Sequence, residues 1–331
     1  MANKALIAAI DHYPNPRNNL PSCLADAAAF ERTLRGAFGF TETPMLLDHM
    51  ATLSNVRSGL NWLFSGAGPN DRLVFYFSGH GYQARNGQDL DEVLCLYDQF
   101  LFDNELSERT RSLPPGVFTM ISDSCHSGGL YKVMFGDEME DLSHLAQTKV
   151  LRVPPLEQED KAFVHPVDVR SLRYRPFGAL PRSPAALSKR FGLPMPKGYD
   201  EGGQLAMNGL LLSACLEDET ASASTPKTNG LSAFTYALLQ QLGTLGPRVS
   251  NQRLMEATTA TLKQLGFRQT PVLMEPTAPP GIAGRSFLLL EEMVASEPKS
   301  FGIPNQDEIR RVIQQSIEAL RRGSMPAAAT A

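Results

Sequence analysis

Two short segments carry side chains whose types and placement suit covalent acyl chemistry. Ser78-Gly79-His80-Gly81 follows the apolar run Leu73–Phe77, and Asp123-Ser124-Cys125-His126-Ser127-Gly128-Gly129 follows Val117–Ile121. A thiol with its ordinary pKa of about 8.5 is mostly protonated at neutral pH, so a nucleophilic cysteine needs a neighbouring base. His80, 45 positions before Cys125, is available to take that proton and later to protonate a leaving amine. Glycines beside both residues let backbone N–H groups approach a substrate closely. The Gly81 and Cys125 amides are therefore candidate donors to a developing oxyanion. Taken by themselves, Cys23, Cys95 and Cys215 read as small buried hydrophobes.

For a histidine and a cysteine so far apart to meet, their strands must lie near each other, with both residues at the carboxyl ends. That is where open parallel sheets bind ligands. The first 130 residues supply such an arrangement. Lys4–Ile10 reads as a buried strand, and the asparagines and prolines of 14–19 as a loop. Helical spacing of Leu24, Ala27, Ala28, Phe30, Leu34 and Phe38 predicts a helix over Cys23–Phe38, ended by Gly39. A short strand at Met45–Leu47, a helix at Val56–Phe64, a strand at Arg72–Ser78, a helix at Glu105–Leu113 and a strand at Gly116–Ser122 follow. Alternation of this kind implies a doubly wound parallel sheet. Regular structure resumes with a strand at Gly209–Cys215 and helices at Ser232–Leu242 and Asn251–Leu265. A last strand at Ser286–Leu290 and an amphipathic tail helix carrying Ile309, Val312, Ile313, Ile317 and Leu320 complete the reading.

Composition narrows the class. The chain has 331 residues, 42% hydrophobic and 20% charged, with 31 basic and 35 acidic side chains. A net charge of −4 gives no general reason to bind nucleic acid or an anionic membrane. No run approaches the roughly 18 apolar residues of a membrane span, and Ala5–Ile10, closed by Asp11, suits a strand better than a signal-peptide core. Four cysteines without a C-x-x-C pair suggest neither a disulfide scaffold nor structural zinc. The expectation is a cytoplasmic globular protein.

The blocks GHG and DSCHSGG, each after an apolar strand, resemble the hallmark blocks of metacaspases and related caspase-like cysteine peptidases. Ser22–Ala27, Asp89-Leu90-Asp91-Glu92, Leu212–Thr220, Gly230–Ala237 and Gln269-Thr270-Pro271 are similar to further family blocks in the same order. The resemblance covers roughly residues 4–135 and 205–292. It implies a caspase-like open, mostly parallel α/β sheet flanked by helices, with a long regulatory insertion between large- and small-subunit parts. The corresponding division is 1–135 for the large-subunit part with the His80–Cys125 dyad, 136–205 for a proline- and base-rich linker, 206–292 for the small-subunit part, and 293–331 for a helical extension and tail.

The same resemblance implies an acidic primary pocket. Its matching residues are Cys23, Asp26, Ser78 and Asp123, with Asp123 standing where caspases carry glutamine two residues before the cysteine. Two carboxylates there favour protein substrates with arginine, or less well lysine, before the scissile bond, because a guanidinium can bind bidentately. Asp89, Asp91, Glu92 and Asp103 resemble part of the calcium cluster of calcium-activated relatives. Lys132, seven residues after the cysteine, stands where a further acidic ligand is expected, so the expectation is a chain that requires no cofactor, with calcium as the alternative. The linker, with Arg170, Arg173 and Arg175 as preferred sites, is expected to be cut by the enzyme itself or by an upstream peptidase. A role in a stress, defence or cell-death cascade is what the resemblance implies. The competing readings are a catalytically silent caspase-like scaffold and a cysteine-dependent amidase on the same sheet.

Overall fold

The computed structural model describes residues 2–86, 89–124, 207–216, 219–276, 281–288 and 303–321, with only the backbone described at 83–91 and 320–321. Among them, strands β1 (Asn3–Ala9), β2 (Met45–Leu47), β3 (Arg72–Ser78), β7 (Phe118–Asp123), β8 (Leu210–Ser213) and β9 (Val272–Met274) form one sheet in the order β2-β1-β3-β7-β8-β9. All pairings are parallel except β8 with β9. The continuous apolar run in β3 follows from its central place, since every residue of that strand is buried. Chain order reverses between β1 and β3, which opens a crevice at their carboxyl ends.

Helix α1 (Cys23–Phe38) starts at that end and runs back along the sheet. Its last carbonyls are closed by Gly39 in the left-handed conformation at φ +65°, which glycine adopts without strain. Helix α2 (Leu53–Phe64) is capped by the Thr52 side chain, which accepts from Asn55 N–H at 3.2 Å. A smaller antiparallel sheet of β4 (Gly81–Asn86), β5 (Asp89–Cys95) and β6 (Phe100–Phe102) leads into helix α3 (Asp103–Thr110). In the second half, α4 (Ala233–Leu245) packs on α5 (Asn251–Leu265), and α6 (Gln306–Arg321) lies against α1, burying Ile309. A main core unites the parts, with Phe30 stacked on Tyr76 at 4.5 Å between ring centres, and a small cluster of Ala233, Ala237 and Leu262 joins α4 to α5.

The mostly parallel α/β sheet flanked by helices matches the expected class, while individual elements differ from the expectation. The antiparallel β4–β6 sheet has no counterpart in the sequence reading, because Asp89, Asp91 and Glu92 interrupt its apolar pattern. The α3 helix begins at Asp103 rather than Glu105. Among the described residues the last strand of the main sheet is Val272–Met274, and residues 286–288 of the expected strand Ser286–Leu290 are not part of that sheet. Ser286 makes only an isolated bridge with Ser250, and the apolar residues after it anchor the other end of the sheet. There Phe287 packs edge-on against Phe38 and donates its N–H to Val249 O at 2.8 Å. Arg72 holds Leu288 O while donating to Phe38 O at 3.0 Å and Asn3 Oδ1 at 2.9 Å. Residues 289–290 lie outside the described residues. Among the described residues no helix is long and apolar enough to cross a membrane.

Candidate active site

His80 leaves the carboxyl end of β3, and its backbone is pinned on both sides. Its N–H donates to Tyr13 Oη at 2.9 Å, its carbonyl accepts from Cys95 N–H at 2.9 Å, and Tyr13 Oη donates in turn to Cys95 O at 3.1 Å. Burial pushes the Tyr13 phenol well above its usual range, so the hydroxyl keeps its proton. The imidazole, 3% exposed, places Nε2 2.7 Å from Asn18 O. A carbonyl can only accept, so Nε2 carries hydrogen and the neutral ring has its lone pair on Nδ1. Gly79 permits this approach, because a Cβ there would sit 2.8 Å from Tyr13 Oη and 2.7 Å from Phe77 Cζ.

Tyr13 and Asn18 belong to one tight loop, 11–20. It is closed by Leu20 N–H on Asp11 O at 2.8 Å and Tyr13 N–H on Asn19 Oδ1 at 2.9 Å. Asp48, at φ +48°, holds the start of the loop by accepting from Asp11 N–H at 2.8 Å and His12 N–H at 2.9 Å. Asp11 in turn caps α1, its Oδ1 accepting from Cys23 N–H at 2.7 Å and Leu24 N–H at 3.2 Å. Burial raises Asp11 to about 7; the nearby charges of Asp48 and Asp26 add to this, and the two backbone bonds oppose it. Sequence reasoning saw only a loop in this stretch. Its signal, the Asn and Pro cluster, indicates a turn but not that the turn supports His80.

The expected pocket residues gather beside this histidine. Ser78 and Asp123 are paired across β3 and β7, and Ser78 Oγ donates to Asp26 Oδ2 at 2.8 Å. Cys23 opens α1, one turn ahead of Asp26. All four are buried, both carboxylates at 0% exposure. The acids are held by the amino end of α4, a part of the chain that the sequence reading did not connect with them. Ser232 donates to Asp26 through its N–H, at 2.7 Å from Oδ1, and through its hydroxyl to Oδ2. Thr235 donates to Asp123 Oδ2 through its N–H at 3.2 Å and its hydroxyl at 2.6 Å. Tyr76 Oη lies 2.7 Å from Thr235 Oγ1, and the hydroxyl already committed to Asp123 accepts from the phenol. A helix amino end suits buried carboxylates because its first N–H groups lack partners and its dipole is positive there.

Cys125 lies outside the described residues. Ser124, directly before it, is fully buried, with its Oγ 2.7 Å from Ser122 Oγ. Cys215 Sγ lies 3.8 Å from Ser124 O. Gly81, the proposed oxyanion donor, opens β4 opposite Leu94. Of the calcium candidates, only the backbone of Asp89 and Asp91 is described. Glu92 is raised to about 7 by burial, and Asp103 starts α3. Among the described residues no three potential ligands form a metal-binding group. Arg170, Arg173, Arg175 and Lys132 lie outside the described residues.

A family model described as the caspase domain matches residues 2–279. Metacaspase-9 of Arabidopsis thaliana is 28% identical over 306 residues, covering 79% of this chain and 90% of the relative. Metacaspase-1 of Schizosaccharomyces pombe is 32% identical over 151 residues, covering 40% of this chain and 35% of the relative. A solved structure from Geobacter sulfurreducens shares the fold at a TM-score of 0.57 and 20% identity, covering 86% of this chain and 97% of that one.

Proposed function

The chain belongs to the caspase-domain family, and from that premise we propose that it is a cysteine endopeptidase of the metacaspase type that cleaves after arginine or lysine. The observation that carries the reading is the setting of His80. Its ring is oriented by Asn18 O at the end of β3, beside the strand whose Asp123-Ser124 leads directly into Cys125.

In this mechanism the Cys125 thiol gives its proton to His80 Nδ1, and the thiolate sulfur attacks the carbonyl carbon of the scissile peptide. The resulting oxyanion is held by the Gly81 and Cys125 N–H groups. Collapse breaks the C–N bond, the imidazolium protonates the departing amine, and a Cys125 thioester remains. His80 then takes a proton from water, whose oxygen displaces the sulfur and releases the carboxylic acid. Asn18 O holds the Nε2–H throughout and stabilises the imidazolium form. The pairing of Asp26 and Asp123 around the Ser78 position supports a pocket for a cationic side chain. The enzyme needs no cofactor. It is a cytoplasmic zymogen, activated by cleavage within 136–205, with Arg170–Arg175 as the preferred region, in a stress, defence or cell-death cascade.

The test is hydrolysis of matched Arg-, Lys- and Asp-terminated fluorogenic peptides by intact protein, by protein nicked in 136–205 and by Cys125→Ala, each with calcium or excess chelator. Arg turnover that is lost in Cys125→Ala and indifferent to chelator supports the proposal. Efficient Asp turnover without Arg turnover overturns the specificity. Silence in every arm favours a non-catalytic scaffold.

A further inference from the structure

Ser232 occupies the N-cap position of α4 with extended backbone, φ −63° and ψ 150°. A serine there ordinarily accepts a hydrogen bond from one of the helix's first N–H groups, yet its side chain makes no such bond. The third N–H of the helix, that of Thr235, goes to Asp123 Oδ2 instead. With the helix capped from a distant strand, the Ser232 hydroxyl is committed to Asp26 Oδ2, while its N–H meets Oδ1 of the same carboxylate.

The donors behind it run in one direction. Ser224 N–H donates to Ser22 Oγ at 3.2 Å, and Ser22 Oγ lies 2.8 Å from Ser232 Oγ. Since the Ser232 proton is committed to Asp26, Ser22 is the donor in that contact. This chain of hydroxyls, fully buried at Ser22, Asp26 and Ser232, ends on a carboxylate, where each bond polarises the next. One residue therefore grips both oxygens of an acid that lies 206 positions earlier in the chain. Two contacts on one carboxylate fix its plane as well as its place.

We propose that Ser232 is a positioning residue of the basic-side-chain pocket, setting the plane of the Asp26 carboxylate toward the cationic group before the scissile bond. The inference rests on the arginine and lysine preference argued above. A planar guanidinium matches a carboxylate only in a restricted orientation, whereas an ammonium group is a compact charge that tolerates a tilted partner. Loss of the Ser232 hydroxyl therefore weakens recognition of arginine more than of lysine.

The experiment compares full-length wild type, Ser232→Ala and Ser22→Ala in the form that is active, reading kcat and KM on matched Arg and Lys peptides, the alkylation rate of Cys125 by iodoacetamide, and Tm. Removing a buried hydrogen bond to a charged group predicts an increase of about tenfold in KM for the Arg peptide. The rise for Lys is two- to threefold, and the alkylation rate is unchanged. Ser22→Ala shifts the Arg-to-Lys ratio in the same direction by a smaller factor, and it decides the matter if Ser232→Ala does not fold. Wild type that prefers Arg while the variants keep its ratio overturns this inference alone, as does an equal loss on both peptides. Wild type that cleaves neither peptide overturns the specificity reading and this inference together.

Discussion

His80 and the Asp26–Asp123 pair occupy the same end of the same sheet but are held by different parts of the chain. The histidine is hydrogen-bonded to Tyr13, Asn18 and Cys95, all within the first 95 residues. The carboxylates are gripped by Ser232 and Thr235, across separations of 206 and 112 positions. These contacts to His80 thus come from the first part of the chain, whereas the contacts to the two acids include the amino end of α4. On the proposed function the two regions should respond separately, with changes near Tyr13 altering kcat and changes near α4 altering KM.

The largest effect that separates them is expected from His80→Ala. It should lower kcat by about 10³-fold, within the usual range for losing a general acid–base, and lower Tm by several degrees, because the buried ring leaves a cavity and the Asn18 carbonyl without its partner. Activity within tenfold of wild type would remove His80 from the mechanism. Next, Tyr13→Phe leaves the His80 N–H and the Cys95 carbonyl without the hydroxyl that joins them. Each orphaned buried group costs about 1–3 kcal/mol, so kcat should fall at least tenfold and Tm by several degrees, with KM for Arg peptides nearly constant. A rise in KM with kcat preserved would show that the histidine and the pocket are not separable.

Thr235→Val tests the other side. It removes the hydroxyl between Asp123 and Tyr76 while retaining the helix N–H, and is expected to raise KM for Arg peptides about five- to tenfold with the Cys125 alkylation rate unchanged. A matching fall in alkylation rate would join the two regions into one cooperative unit.

A further effect concerns pH. Asp11 and Glu92 are both held up at about 7 by burial, against about 4 in an unfolded chain. Between roughly pH 4 and 7 the folded state therefore binds more protons than the unfolded one, and these two groups make stability fall as pH rises through that window. Carboxylates held low, Asp71 and Glu105, contribute stability that is lost only as pH falls below about 4.5. Tm should decline from pH 5 to 7.5, and Asp11→Asn, which retains an oxygen for capping α1, should flatten part of that decline. A wild-type slope in Asp11→Asn would contradict the proton inventory.

Much of the fold was legible because its strands are buried on both faces. Unbroken apolar runs such as Leu73–Phe77 have no other stable place in a structure of this kind. The strand ends holding Ser78 and Asp123 were legible for the same reason. The β4–β5 hairpin was not, because its charged residues at 89, 91 and 92 hide the apolar period that marks a strand. The expected strand Ser286–Leu290 misled in the opposite way: apolar residues satisfy burial equally well outside a strand, and Phe287 and Leu288 are held against Phe38 and Arg72 instead.

From residue types and order alone came the alternation of strands and helices, the identity of a thiol and an imidazole after two buried strands, and two nearby acids suited to a cation. These depend on local periodicity and on intrinsic chemistry, which a linear chain displays. Only the folded molecule decided that Asn18 sets the histidine tautomer, that Asp48 and Asp11 brace its loop, and that Ser232 and Thr235 hold the acids. Hydrogen bonds depend on distance and direction in space, and the partners of a buried polar group are supplied by whichever distant segment packs against it.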